Sequence, residues 1–155
     1  MSDLFFLNQL PTPHLYVGLN LKNCRKAIDF YKAAFSAEEL MMMEIPETDL
    51  VGHAVLKIGH SVISVCDESP DWNALTPETT GGCPMSLNIQ VDDCDSLHTQ
   101  ALSAGATEEK APADYPWGER ASALVDPFGY RWMIAQHIED VSPEEIQERL
   151  KTWQP

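Results

Sequence analysis

Apolar and polar residues follow two rhythms along this chain, and the rhythms occur twice in the same order. Leu15 to Asn20 predicts a strand. From Cys24, apolar residues return at Ala27, Ile28, Tyr31, Ala34 and Phe35, the spacing of one helical face, with Asn23 placed to cap its start. Three strands are predicted next: Glu39 to Ile45, Val51 to Ile58 and Ser61 to Cys66. Gly59-His60 reads as a two-residue hairpin turn between the last two. Asp67 to Pro84, rich in turn formers and carrying Gly81-Gly82, reads as a linker or mobile loop. Trp72 and Leu75 inside it fit either a small lid or an aromatic anchor for a plain surface loop.

The second half repeats the order. Met85 to Val91 predicts a strand. Asp92 or Asp93 caps a helix carrying Cys94, Leu97 and Ala101, and Gly105 stands where a left-handed C-terminal residue belongs. Strands follow near Thr107 to Lys110, Arg120 to Val125 and Tyr130 to Ile134, with Asp126-Pro127-Phe128-Gly129 suited to a type I turn. Ser142-Pro143-Glu144-Glu145 is a capping box opening a last helix. Its stripe of Ile146, Leu150 and Trp153 must pack either on its own domain or on a second subunit.

Direct matches between the halves fall at an offset of 70: Leu21 to Cys24 on Val91 to Cys94, Ala34 on Ala104, and Glu38-Glu39 on Glu108-Glu109. The expected class is therefore α+β. Two βαβββ modules are expected, in a single domain over 1–155. The first module spans 13–68, a linker loop 69–84, the second module 85–138 and a C-terminal helix 142–153.

Composition narrows the function. At 44% hydrophobic residues the chain has enough apolar material for a real core. A formal net charge of -14 argues against nucleic acid and against anionic lipid, both of which call for a basic surface. No apolar run approaches the ~20 residues that span a bilayer. Met1 to Gln9 contains Leu4-Phe5-Phe6-Leu7 but no basic n-region or small-residue cleavage site, so it does not read as a signal peptide. Cys24, Cys66, Cys83 and Cys94 show no CxxC spacing and are expected to be reduced thiols. The expected location is cytoplasmic.

Strand alternation sorts side chains by face. Ala54, Leu56, Ile58, Ile63 and Val65 are expected to face the first helix. Leu87, Ile89, Val91, Tyr130, Trp132 and Ile134 are expected to face the second. The opposite face then mixes Tyr16, Ser64, Cys66, Ser86, Asn88 and Met133, with His53 and Arg131 toward the strand ends. Apolar walls with a few orienting polar groups suit a small-molecule cavity better than a plain solvent face. His53 is the candidate acid or base, weighed against an ordinary strand histidine. Cys66 reads as a small buried thiol rather than a nucleophile, because only His53 is placed to lower its pKa. Arg120 and Arg131 are candidates for holding an anionic substrate group, in competition with pairing to surface carboxylates. Trp117, beside Gly118, is placed to cap the pocket or simply to pack. Met41 to Met43 fit an adaptable apolar wall or the core. His14, His60 and His98 look peripheral, with His98 expected on a helix surface, and His137 reads as structural.

Two motifs carry a family likeness: Ala27-Ile28-Asp29-Phe30-Tyr31 with Phe35 on the first helix, and Asp126 to Trp132 entering the last strand. With them the chain resembles the vicinal oxygen chelate superfamily, which includes glyoxalase I, bleomycin-resistance proteins and extradiol dioxygenases. His53-Ala54 to Ile58-Gly59, Trp117 to Arg120 and His137 to Asp140 look most like its PhnB-like subgroup. The likeness covers roughly residues 13–150. It implies the paired βαβββ fold, with curved mixed sheets around a cavity, and, in metal-dependent members, four ligands on the first and last strand of each half. Those positions fall here on Tyr16, Ser64, Ser86 and Met133, none of them an ordinary donor for a divalent ion. The expectation is therefore no metal and no other cofactor, a small-molecule ligand and a homodimer. Three functions stand open: a metal-independent lyase- or isomerase-class enzyme, a non-catalytic drug- or metabolite-binding protein of bleomycin-resistance type, and a metal-dependent enzyme with displaced ligands.

Overall fold

The computed structural model describes residues 14–154. The stretch read at Met1 to Gln9 lies outside the described residues. Residues up to Gly82 form one compact unit and those from Cys83 onward a second.

The first unit contains β1 (Val17–Leu21), α1 (Cys24–Phe35), β2 (Glu38–Glu44), β3 (Val51–Ile58) and β4 (Ser61–Asp67). Its sheet has the order β1-β4-β3-β2, with β1 parallel to β4 and the other pairs antiparallel. The Asn23 side chain caps α1 by accepting from the Lys26 amide, and the helix ends at Ser36 in the left-handed region (φ 53°). Cys24, Ala27, Ile28, Phe30, Tyr31, Ala34 and Phe35 are buried, so the apolar stripe read from the sequence is the packed face. Asp67 ties three elements together. Its Oδ1 accepts from the Cys24 amide at 2.9 Å, and its Oδ2 accepts from the Val51 amide at 2.7 Å. The segment after β4 holds a 3-10 turn (Pro70–Trp72) and the short helix α2 (Pro77–Thr80). Glu68 accepts from the Thr76 amide at 3.0 Å, and the Asn20 amide donates to the Leu75 carbonyl at 3.2 Å. Trp72 is 86% exposed, so it anchors nothing within this unit.

The second unit contains β5 (Ser86–Gln90), α3 (Cys94–Ala104), β6 (Thr107–Tyr115), β7 (Glu119–Val125), β8 (Arg131–His137) and α4 (Pro143–Leu150). The strand order β5-β8-β7-β6 repeats the first sheet, again with one parallel pair, β5 with β8. Asp93 caps α3 and Gly105 ends it at φ 117°. Gln136 does here part of what Asp67 does in the first unit: its Oε1 accepts from the Cys94 amide at 3.0 Å. Asp126 organises the last turn. Its carboxylate accepts from the Phe128 and Tyr130 amides and from the Trp132 indole, each at 2.9 Å. The stripe of α4 stays half-buried, and Trp153 beyond it packs within its own unit against Trp117 and Tyr115. Gly118 permits this closure, because a Cβ there would lie 2.2 Å from the Glu139 carbonyl oxygen at a φ of +85°.

Three expectations change. β6 runs on to Tyr115, well past Lys110, and carries Pro112 between paired residues Lys110 and Ala113, where the register shifts. That is tolerable because β6 is the edge of its sheet. The last strand starts at Arg131 and reaches His137, because Tyr130 still belongs to the Asp126 turn. His98 is buried under α3 rather than on the helix surface. Among the described residues, no helix is long and apolar enough to cross a membrane.

Candidate functional site

In each unit one sheet face packs on its helix, and the far face carries most of the residues singled out from the sequence. On the first unit, strand register lines these up in rows. Gly18 pairs with Ser64, Ser64 with Val55, and Val55 with Met41. Asn20 pairs with Cys66 in the next row. Extending the Ala54 to Val65 register by one residue sets Cys66 opposite His53, which pairs with Met43. Gly18 leaves room for the Ser64 hydroxyl, which would lie 3.2 Å from a Cβ at that position. Ser64 and Val55 are buried, His53 and Cys66 are half-buried, and Tyr16 is exposed and stacked on His14. The face is thus withdrawn from water at its centre and open at its edge.

Burial, with the Asp67 charge adding to it, pushes the Cys66 thiol up. The thiol therefore stays protonated and donates to Asn20 Oδ1 at 3.3 Å. Asn20 was not singled out from the sequence. Its signal was parity with Tyr16 along the strand.

On the second unit, Ser86 pairs with Arg131, Asn88 with Met133, and Gln90 with Ala135. Ala121 and Ala123 floor this face and are buried. Arg131 is its charged centre. Its Nη1 donates to Ser86 Oγ and to Met133 Sδ, each at 3.0 Å. Its Nε donates to the carboxylate of Glu109, a residue the sequence reading passed over. Ser86, Arg131 and Met133 are thus one bonded cluster, with exposed Asn88 beside Met133 in the next row.

Two of the singled-out residues stand elsewhere. Arg120 shares its strand face with Ser122 and Leu124, on the side of α3. Its guanidinium forks onto Asp95 of that helix and also donates to Asp114 Oδ1 at 2.8 Å. Trp117 lies in the hairpin between β6 and β7, stacked on Tyr115 with ring centroids 4.7 Å apart, and donates to Glu119 at 2.9 Å. The helix side of the second unit also holds a polar network. His98 Nδ1 lies 3.0 Å from Ser122 Oγ, and its Nε2 lies 2.8 Å from Glu108. The Cys94 thiol approaches the same hydroxyl at 3.6 Å. Ser122 is 1% exposed, so this network is part of the core and out of reach of a substrate.

The donor chemistry bears on metal binding. Among the described residues, no three His, Cys, Asp or Glu side chains come together as a group able to hold a metal ion. A phenol, two hydroxyls and a thioether at positions 16, 64, 86 and 133 do not suit a divalent cation.

Comparison with known proteins agrees with the architecture. An uncharacterised protein of Mycobacterium tuberculosis (strain CDC 1551 / Oshkosh) is 35% identical over 156 residues, covering 97% of this chain and 89% of its own. A gene product of Arabidopsis thaliana superposes with a TM-score of 0.65 at 23% identity, covering 81% of this chain and 99% of that one. The fosfomycin resistance protein FosX of Listeria monocytogenes, solved with Mn(II) and sulfate, has a TM-score of 0.62 at 12% identity, over 91% of this chain and 99% of its own. These two structural likenesses show the shared fold of paired four-stranded mixed sheets with helices. A sequence model of the glyoxalase/bleomycin resistance protein/dioxygenase superfamily matches residues 14–134. That match spans most of the chain, and the chain therefore belongs to this superfamily.

Proposed function

We propose that this chain is a PhnB-like member of the superfamily that binds a small, partly apolar molecule on the far faces of its sheets without a divalent metal. The observation that carries this reading is the set Tyr16, Ser64, Ser86 and Met133, with a guanidinium bonded to the last two. A resident cation is already hydrogen-bonded to both family ligand positions of the second unit. Each far face by itself mixes apolar and polar groups, buried Val55 with Ser64 and Asn20 in the first unit and buried Ala123 with Asn88 in the second, which supports an apolar ligand oriented by a few polar contacts.

His53 is the acid or base of a metal-independent reaction. It stands in one row with Cys66 and Asn20. A second reading, binding without turnover, is favoured by the protonated Cys66, which leaves that row without a nucleophile. His53→Ala separates the two once a ligand is in hand: lost turnover with retained binding supports the enzyme, and unchanged behaviour supports the binding protein.

The first experiment is a thermal-shift screen of EDTA-treated protein against metabolites and antibiotics, with elemental analysis of the untreated protein. A ligand that raises the melting temperature without added metal is the expected result. A stoichiometric divalent ion required for that response defeats the reading. A cytoplasmic homodimer goes with it as part of the proposal, and sedimentation analysis tests the assembly.

A further inference from the structure

We propose that the far face of the second unit is an anion site, with Arg131 as the anchor for a carboxylate or phosphate group on the bound molecule. This assignment rests on the metal-independent reading and names the chemistry of its ligand.

A guanidinium carries five N–H donors in a rigid fork. In Arg131 the Nε edge is held by Glu109, and Nη1 is held by Ser86 and Met133. Nη2 donates to no group among the described residues. The side chain is 31% exposed, so it is fixed on two sides and still reachable. A thioether is a weak acceptor, and an incoming oxyanion outcompetes it easily.

The other two arginines of this unit are used up differently. Arg120 is shared by Asp95 and Asp114, and Arg149 by Glu139 and Glu145. Arg131 has one carboxylate. The chain holds 24 Asp and Glu against 10 Lys and Arg, yet Arg131, like Arg25 on α1, pairs with a single carboxylate, and of these two Arg131 stands on a sheet face. Apart from Glu109, the groups beside it on that face are Ser86 and Asn88 on β5, Met133 on its own strand and Val125, its partner on β7, while Lys110 pairs with Ala123 in the adjoining row and adds a second positive charge. Asn88 adds an exposed amide in the adjoining row. A small molecule with a planar or tetrahedral oxyanion and an apolar body fits these groups. A cationic molecule would meet a fixed positive charge.

The test uses the full chain, stripped with EDTA and followed by NMR titration. The probes are benzoate and phenyl phosphate as anions, benzamide as the neutral analogue and benzamidine as the cation. Benzoate or phenyl phosphate is expected to shift the Arg131 Nε–H and the amides of Ser86 and Asn88. Arg131→Gln should weaken that response by about tenfold, and Arg131→Lys should restore it only in part, because an ammonium lacks the fork. Glu109→Gln removes the competing carboxylate and should tighten anion binding, which keeps the test alive should the arginine variants fold poorly. Arg149→Gln should leave binding unchanged. The assignment falls if Arg131→Gln and the parent respond alike, if benzamide or benzamidine binds in place of the anions, or if neither anion binds at millimolar concentration. If the anions bind only after Mn(II) or Zn(II) is added, the metal-independent reading falls instead.

Discussion

Beneath α1 of the first unit lie Leu19, Leu21, Leu56 and Val65, all withdrawn from water and all hydrocarbon. Beneath α3 of the second lie Leu124, Ile134, Trp132 and the polar Ser122, which meets His98 and Cys94 on the buried face of the helix. The strand orders match, the helices start seventy residues apart at Cys24 and Cys94, and Asp67 and Gln136 each hold the first amide of a helix. One plan is thus filled in two ways. α1 buries seven of its residues and α3 buries three, one of them the hydrogen-bonded His98. The far faces differ too: the first carries a row of Asn20, Cys66 and His53, and the second carries the Glu109 and Arg131 ion pair. Topology is set by the alternation of apolar positions, which both halves share. The character of each face is set by single residues, which they do not.

The comparison predicts different failures. In the second unit, Asp126→Ala removes the carboxylate that accepts from two backbone amides and the Trp132 indole. The expected loss is about 3–5 kcal/mol, since charged acceptors of buried donors rank among the costly removals. In the first unit, Leu56→Ala deletes a side chain with 0% exposure, and the expected loss is about 2–4 kcal/mol from transfer and cavity. Urea midpoints measure both. If Asp126→Ala costs less than about 1 kcal/mol, the second unit does not depend on its polar framework as described.

Most of the framework was readable because it is local. Asn23, Asp93 and Ser142 accept the amides expected of caps, and Gly105 takes the left-handed conformation. Turn and cap chemistry is decided within a few residues of chain, and those residues were in view. The misreadings are places where partners come from far away. Nothing near Pro112 reveals that β7 will hold β6 along its whole length. His98 stands at the Cys94 and Ala101 spacing, so the helical period did mark it as inward. Its polarity hid this until Ser122 and Glu108 supplied partners. Arg120 looked like Arg131 in one dimension. The parity of β7 separates them, but Ala121, Ser122 and Ala123 alternate too weakly in hydrophobicity to show which side meets the helix. For the far faces, the sequence identified the residue types but not Glu109, whose role depends on where a bulged edge strand sets its carboxylate beside Arg131.

Converting one kind of core into the other sharpens the contrast. His98→Leu alone takes the imidazole partner from the buried Ser122 hydroxyl, while the exposed Glu108 carboxylate turns to water, with an expected loss of about 1–3 kcal/mol. Adding Ser122→Ala should recover part of that loss, with a coupling of about 1 kcal/mol in a double-mutant cycle, because a pair of apolar groups no longer leaves a polar atom without its bond. Additive losses would mean that the two side chains do not act as one network.

The pH dependence separates the units as well, most clearly on its acid limb. In the second unit the Ser96 hydroxyl holds the Asp93 carboxyl below its usual range, Arg120 does the same for Asp95, and Arg149 for Glu139. In the first unit only Glu68 is lowered among the described residues, by hydrogen bonds from Thr79 and Thr76. A lowered carboxyl contributes stability above its unfolded pKa and loses it as pH falls through the folded value. Acid should therefore loosen the second unit first, with amide protection around α3 and α4 declining below about pH 4.5 while α1 remains protected. The alkaline limb touches both units, since burial also raises the Cys94 thiol of α3, but it is largest in the first. Burial and the Asp67 charge push the Cys24 thiol from 9.0 up to about 12. A raised thiol stabilises the fold below its unfolded pKa and loses that contribution as pH rises toward the folded one. The α1 region should weaken above about pH 9, by up to about 1.4 kcal/mol per pH unit, and Cys24→Ala should flatten that slope. Hydrogen exchange resolved by unit reads both limbs. Protection lost at one common pH throughout the chain would show that the two cores do not titrate separately.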